Sequence, residues 1–155
     1  MSEYQATISW QRDEQKFTDK RYSRGHQWQF DGGAVIQASS SPSVVPLPWS
    51  VAENVDPEEA FVASLSSCHM LFFLSIAAAN GYCIDDYQDK ATGVMAKNAE
   101  GKMVMTEVML KPHVVFSGDK RPDERKLEKM HHQAHDQCFL ANSVTTAIHC
   151  EGSMA

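Results

Sequence analysis

The chain has 155 residues, of which 43% are apolar and 22% charged, and its formal net charge is −6. This length suffices for one domain with its own core, and the composition is that of an ordinary soluble globular protein. The negative charge disfavours a nucleic-acid binder, because phosphate binding needs a basic surface. The sequence also lacks the glycine-rich motifs that hold nucleotide phosphates.

The first 50 residues are predicted to form strands and a loop. Residues 4–10 alternate apolar and polar side chains, as a strand does. Residues 26–30 and 34–38 flank Asp31-Gly32-Gly33, which predicts a hairpin. Three prolines in residues 39–50 predict an extended surface loop.

A long helix is predicted to begin at Pro57 and to end at Asn80. Asp56 is suited to the N-cap, and Gly81 is a natural terminator. Residues 60–79 are apolar enough to raise the question of a membrane span, but polar side chains at 64–69 interrupt the segment at its middle. We therefore expect a buried central helix and no membrane association. Its small residues suit either close packing or a helix–helix dimer interface.

The second half of the chain is predicted to contain two strands, a helix and a last strand. Residues 87–97 and 102–116 are strand-like and are joined by a turn at 98–101. Pro122 is expected to open a helix that carries its apolar residues at helical spacing as far as Cys138. Residues 143–150 form the last predicted strand. The whole chain, residues 1–155, is predicted to be one α+β domain.

Four cysteines make thiol chemistry the first functional question. The N-terminal residues 1–10 are polar and have no apolar core of the signal type, so a reducing cytoplasm is expected. In that setting, thiol chemistry or metal binding outranks a structural disulfide framework. Cys68 and Cys138 are either a redox pair, in which a sulfenic acid condenses with a second thiol, or two buried apolar side chains. Cys83 and Cys150 are interpreted as structural.

A metal site is the second possibility. His131, His135 and Cys138 follow i, i+4, i+7 spacing and can share one helix face, and Cys68 or His69 could complete a tetrahedral set. The sequence has neither a CxxC pair nor an HExxH motif, and His132 points elsewhere. Histidines on a partly exposed helix explain the pattern more simply, and no metal is expected.

The segment Asp56-Pro57-Glu58-Glu59 is followed by Cys68, ten positions after Glu58, and later by Cys138 with Asn142-Ser143-Val144. This pattern resembles the OsmC/Ohr family of thiol-dependent peroxidases. The segment 22–25 resembles the early family segment that carries an essential arginine. The resemblance covers nearly the whole chain. It implies an intertwined homodimer with antiparallel sheets wrapped around long central helices, and reduction of organic hydroperoxides in oxidative stress defence.

The resemblance also implies a role for four residues. Cys68 would be the peroxidatic thiol and Cys138 the resolving thiol. Arg24 would stabilise the thiolate and bind the peroxide, while Glu58 would orient Arg24 through a charge-assisted bond. No bound cofactor is expected, because the family is reduced by external lipoyl-type dithiols. Glu58 and Cys68 are separated by a rise of about 15 Å along one helix, so they cannot both reach one guanidinium within a single chain. If Arg24 serves both, some of these residues must come from the partner subunit.

Two departures from the family pattern keep other functions open. Phe139 follows Cys138 where the family commonly has proline, and His69 and the cluster His131, His132 and His135 are not typical of the family. The main alternative is a non-catalytic dimer that binds a metal or small ligand through Cys and His residues. A Cys–His hydrolase or acyl-transfer enzyme is a further alternative.

Overall fold

The computed structural model describes residues 1–155 and contains two α-helices, nine strands and a short 3-10 helix at Ala141–Ser143. The predicted α+β class is confirmed. The chain divides into two compact units, Met1–Ala60 and Phe61–Ala155. The helices are α1 Pro57–Ala79 and α2 Glu124–Gln137. The strands are β1 Ala6–Ser9, β2 His26–Phe30, β3 Val35–Ala38, β4 Cys83–Asp89, β5 Thr92–Lys97, β6 Met103–Leu110, β7 Pro112–Ser117, β8 Ala147–Cys150 and β9 Ser153–Met154.

The first unit contains an antiparallel sheet in the order β1-β2-β3. Trp28 at the centre of β2 is opposite Ile8 on one side and Ile36 on the other. Gly33, with φ of +100°, closes the predicted β2–β3 hairpin because glycine adopts positive φ without steric cost. The three strands predicted for this half are confirmed within two residues at each end.

Both ends of α1 form as predicted. The Glu59 N–H donates to the Asp56 carboxylate at 2.8 Å, and the Asp56 N–H donates to the Glu59 carboxylate at 2.8 Å, which is a capping box. At the other end, Gly81 has φ of +82°, and the Tyr82 N–H donates to the Ala77 carbonyl at 3.0 Å. This left-handed residue ends the helix.

The apolar character of α1 is only partly explained by burial. One stripe is buried, at Val62, Leu65, His69, Phe73 and Ala77. Most of the remaining surface is accessible, so the predicted buried central helix is correct for one face only. By length and composition α1 could cross a membrane, with a mean hydropathy of 1.8 over 18 residues, but core helices of soluble proteins pass the same test.

The predicted strand count in the second unit is wrong, because each of two predicted strands is really a pair. The chain leaves β4 at Asp89 and enters β5 at Thr92, and it leaves β6 at Leu110 and enters β7 at Pro112. The Asp89 carboxylate accepts the Lys111 N–H at 2.6 Å, which ties the two breaks together. Each break moves the chain from one sheet to the other.

The two sheets of this unit contain the expected antiparallel pairs, and a short parallel strand extends each of them. Their orders are β4-β7-β9 and β5-β6-β8. β8 runs parallel to β6, and β9 runs parallel to β7. The last predicted strand begins at Ala147, not at residue 143, and β9 was not predicted because it has only two residues.

The helix α2 begins one residue after Asp123, whose carboxylate accepts the Lys126 N–H at 2.7 Å, and Pro122 lies just before this cap. Cys138 is the C-cap. The buried face of α2 packs with the end of α1 and with β7 in a core of Phe73, Ala77, Val114, Phe116, Leu127, Met130 and Ala134. A second core joins α1 to β6 through Val62, Leu65, Val108 and Leu110.

Candidate functional site

The thiols of Cys68 and Cys138 adjoin each other in the second unit. Cys68 lies in the middle of α1 and is half-buried, while Cys138 caps α2 and is 1% exposed. Burial raises the pKa of the Cys138 thiol, and a hydrogen-bond interaction with the Cys68 side chain raises it further. Neither cysteine forms a disulfide. The arrangement places two free thiols, 70 residues apart in sequence, beside each other.

Phe139 follows Cys138 where the family commonly has proline, yet the backbone of Cys138 is extended, as it would be before a proline. Cys138 has φ of −65° and ψ of 114°, which is the extended region required of a residue before proline. The Ala141 N–H donates to the Cys138 sulfur at 3.4 Å. The exposed Phe139 ring meets the Phe72 ring edge to face, with centroids 5.0 Å apart.

Arg24 and Glu58, both in the first unit, are not joined by an ion pair. The Arg24 guanidinium donates to the carbonyls of Lys20 and Tyr22 and lies over the Tyr22 ring, 3.7 Å from its centroid. Glu58 has one buried carboxylate oxygen, Oε2, without a hydrogen-bond partner. The predicted bond from Glu58 to Arg24 is therefore absent within one chain.

A second cluster in the second unit joins His69, His131 and Cys150. His69 Nε2 is 2.9 Å from His131 Nδ1, and the Cys150 sulfur is 3.8 Å from the same His69 nitrogen. The two imidazole rings are stacked with centroids 5.2 Å apart. One potential ligand atom from each residue falls within 4.8 Å of those of the others.

Burial keeps the two histidines of this cluster neutral. Desolvation and the nearby His135 lower the pKa of His69 to about 4, against a smaller opposing effect of Asp89. Desolvation and His69 lower the pKa of His131 to about 3. For Cys150, burial and the carboxylates of Asp89 and Glu151 raise the pKa to about 12. At neutral pH the cluster is thus two neutral imidazoles and a protonated thiol.

Two buried polar atoms in this region have no hydrogen-bond partner. One is His131 Nε2 and the other is the Tyr87 hydroxyl oxygen. Burial raises the pKa of Tyr87, as do the charges of Asp89 and Cys150, so the phenol lies within electrostatic range of the cluster. An unpaired buried polar atom costs about 1–3 kcal/mol, so two in one region are unusual.

A cavity of about 1090 Å³ lies between α2 and the β8–β9 segment and reaches His131 and Cys150. The exposed His132 and the half-buried His135 also line it. Gly152 lies against the ring of His131, because a Cβ atom there would be 2.6 Å from His131 Cδ2. The cavity connects part of the buried cluster to the surface.

Sequence reasoning identified His69 and His131 as possible ligands but grouped them wrongly. The cluster takes in Cys150, which was interpreted as structural, and leaves out His135 and Cys138. His132 forms an exposed contact of 3.4 Å with Asp136. The available signal was a histidine on each buried helix stripe, His69 between Leu65 and Phe73 and His131 beside Met130 and Ala134.

The model of a known family, described as OsmC-like protein, matches residues 51–152. The chain belongs to the OsmC-like family. The solved structure of an OsmC-like protein of unknown function from Vibrio cholerae has 57% sequence identity to it and a TM-score of 0.97. That match covers 98% of this chain and 99% of the Vibrio chain. No curated protein matches the sequence significantly.

More distant OsmC-like structures share the fold of this OsmC-like protein. An organic hydroperoxide resistance protein from Legionella pneumophila has 12% identity and a TM-score of 0.66, over 100% of this chain and 98% of that one. The organic hydroperoxide resistance protein OhrB of Bacillus subtilis has 14% identity and a TM-score of 0.61, over 99% and 98%. At these identities the likeness concerns the fold alone.

Proposed function

We propose that this OsmC-like protein is a thiol peroxidase that reduces organic hydroperoxides through Cys68 and Cys138. The observation that carries the proposal is the adjacency of the two free thiols across α1 and the C-cap of α2. Two free thiols beside each other are what a two-cysteine peroxidase needs, because a sulfenic acid on one must condense with the other. The names of the Legionella and Bacillus proteins agree with this chemistry.

The reaction has three balanced steps. The Cys68 thiolate attacks the outer peroxide oxygen, the O–O bond breaks, and the alkoxide takes a proton and leaves as an alcohol. Cys138 then attacks the sulfenic sulfur, which forms a disulfide and releases water. An external dithiol, of the lipoyl type by resemblance to the family, restores both thiols by disulfide exchange and is itself oxidised.

The surroundings of the two cysteines support Cys68 as the thiol that attacks the peroxide first. Cys138 is almost fully buried and its raised pKa keeps it protonated at neutral pH, which makes it a poor first nucleophile. Cys68 is half-buried and lies in an apolar stretch with Phe61, Leu65 and Phe72. These side chains would favour bulky alkyl hydroperoxides over hydrogen peroxide.

The complete site is proposed to need a homodimer in the cytoplasm. Glu58 Oε2 is buried without a donor, and Arg24 uses its Nη1 for the backbone carbonyls of Lys20 and Tyr22. A second subunit would supply Arg24 and Glu58 to Cys68, and it would cover the apolar surface of α1, where Leu71 is 60% exposed.

The test is a thiol count of the reduced protein before and after one equivalent of cumene hydroperoxide. Wild type and the control Cys83→Ser should lose two thiols rapidly, with a Cys68–Cys138 linkage in the peptide map. Cys68→Ser should lose none on this timescale. Unchanged thiols in wild type over minutes would refute the peroxidase.

A further inference from the structure

We propose that His69, His131 and Cys150 form a binding site for a first-row transition-metal ion, and that Zn²⁺ is the ion this donor set suits best. Two imidazoles and one thiolate are ligands that zinc accepts in proteins. The site is independent of the proposed peroxidase pair, since none of its three residues belongs to that pair.

The distances within the cluster are close to those of a metal site. With zinc–nitrogen bonds of about 2.0 Å and zinc–sulfur bonds of about 2.3 Å, tetrahedral ligands lie roughly 3.4 Å (N···N) and 3.6 Å (N···S) apart. The distances from His69 Nε2 are 2.9 Å to His131 Nδ1 and 3.8 Å to the Cys150 sulfur. The ligand atoms of all three residues lie within 4.8 Å of one another, so side-chain movements of roughly 1 Å would bring the three donors onto one ion.

Burial and rigidity favour a built site over a chance grouping of histidines. His69 is 2% exposed and His131 is 4% exposed, and both are held on helices in the core. The His131 ring stacks on Phe73 with centroids 4.1 Å apart. Exposed surface histidines, in contrast, would have to lose side-chain freedom to bind an ion.

Not every polar atom in and around the cluster has a hydrogen-bond partner. The single bond between His69 and His131 leaves His131 Nε2 without a partner in either tautomer, and the Tyr87 hydroxyl is also unpaired. Three protein ligands leave a fourth metal position open.

The local charge suits a cation. The negative charge of Asp89 acts on His69, Cys150 and Tyr87. Its carboxylate accepts hydrogen bonds from the Ser66 hydroxyl and the Lys111 N–H, which hold it in place. The negative charge of Asp89 would offset part of the charge of a bound cation. Binding would convert the Cys150 thiol to a metal-bound thiolate and release one proton.

The cavity supplies a route for the ion. It reaches His131 and Cys150 from the surface and is lined further out by His132, His135 and His149. A metal ion could therefore pass from exposed imidazoles to the buried cluster without opening of the core.

The proposal is tested with tag-free, fully reduced protein that has been stripped by a chelator. Zn²⁺ is titrated in competition with a chromophoric chelator, and the melting temperature is followed with and without Zn²⁺. We expect one equivalent bound per chain and a higher melting temperature, since a ligand that binds only the folded state stabilises it. Absence of a tight one-equivalent site in wild type would overturn the proposal.

Variants identify the ligands. Cys150→Ser changes a single atom and should weaken Zn²⁺ binding more than about 100-fold, because loss of an outer-shell partner alone costs about 10- to 100-fold. Cys83→Ser and His132→Asn replace an exposed cysteine and an exposed histidine and should bind like wild type. Unchanged binding in Cys150→Ser would contradict the assignment even if His131→Asn failed to fold.

Cobalt distinguishes this cluster from the peroxidase pair. Co²⁺ should give the sulfur-to-metal charge-transfer band of a thiolate ligand, and the band should persist when Cys68 and Cys138 are both replaced by serine. Loss of the band in that double variant, with its retention in Cys150→Ser, would assign the metal to the other thiols and reject the proposed site.

Discussion

His69 on α1 and His131 on α2 are joined by a 2.9 Å hydrogen bond between ring nitrogens, 62 residues apart in the chain. The bond links the two helices at a point where both are buried. Since burial keeps both rings neutral, the link is sensitive to acid and to any ion that competes for the same lone pairs. The first prediction concerns acid.

In chelator-treated protein, acid should destabilise the fold below about pH 6.5. The folded-state pKa is about 4 for His69 and about 3 for His131, below the ordinary value of 6.5. The unfolded chain therefore binds more protons between these values, and the free energy of unfolding falls as the pH falls through this window. Above about pH 6.5 the two histidines should contribute no pH dependence.

Urea unfolding midpoints at about pH 7.5, 6.5 and 5.5 measure this loss. The exposed-site control His132→Asn should follow the wild-type slope, and His131→Asn should give a shallower one. Equal slopes in all three proteins would show that the buried histidines do not control acid stability.

Gly152→Ala should destabilise the protein by about 1–3 kcal/mol, the usual cost of overpacking a core. The added methyl group would lie 2.6 Å from His131 Cδ2 and 2.7 Å from Nε2, so the ring or the β8–β9 segment must move. Gly32→Ala is the matched control, because a Cβ atom there meets nothing within 4 Å. Urea unfolding of the two variants and wild type gives the comparison.

Replacement of Cys138 should separate oxidation of Cys68 to a sulfenic acid from the formation of the disulfide. Cys138→Ser leaves Cys68 free to react with one equivalent of cumene hydroperoxide but provides no thiol for the disulfide. We expect an accumulating sulfenic acid that dimedone traps on Cys68, detected by peptide mass spectrometry, and loss of dithiol-dependent turnover by at least about tenfold. Cys150→Ser is the control for a half-buried thiol outside the pair and should turn over normally. A disulfide from Cys68 to any other cysteine in Cys138→Ser would contradict the assigned partner.

The helix α1 and the family could be predicted from local sequence, and the reason is physical. Asp56, Pro57 and Gly81 are capping signals that act over a few residues, and the structure places the helix ends at these positions. The spacing from Glu58 to Cys68 is likewise contained in one helix, so the resemblance could be read directly along the chain.

The pairing of Cys150 with His69 could not be predicted in that way. The two residues are 81 positions apart, and their contact depends on the parallel register that sets Cys150 opposite Leu110. A four-residue strand such as β8 does not specify its partner by its own pattern. The strand breaks at Asp89 and Lys111 were missed for the same reason, because a hydrogen bond between distant residues marks them.

A charge on the exposed face of α1 should dissociate the proposed dimer. Leu71 is 60% exposed in the single chain although it lies in an apolar helix, and Leu71→Glu would place a carboxylate within the surface that a partner covers. We expect a monomer by sedimentation and a fall in peroxidase kcat/KM of at least about tenfold, because Arg24 and Glu58 would no longer reach Cys68. Val94→Glu, at an exposed apolar residue on β5, should stay dimeric and active. A monomeric Leu71→Glu with full peroxidase activity would rule out the shared site, while leaving the Cys68–Cys138 chemistry intact.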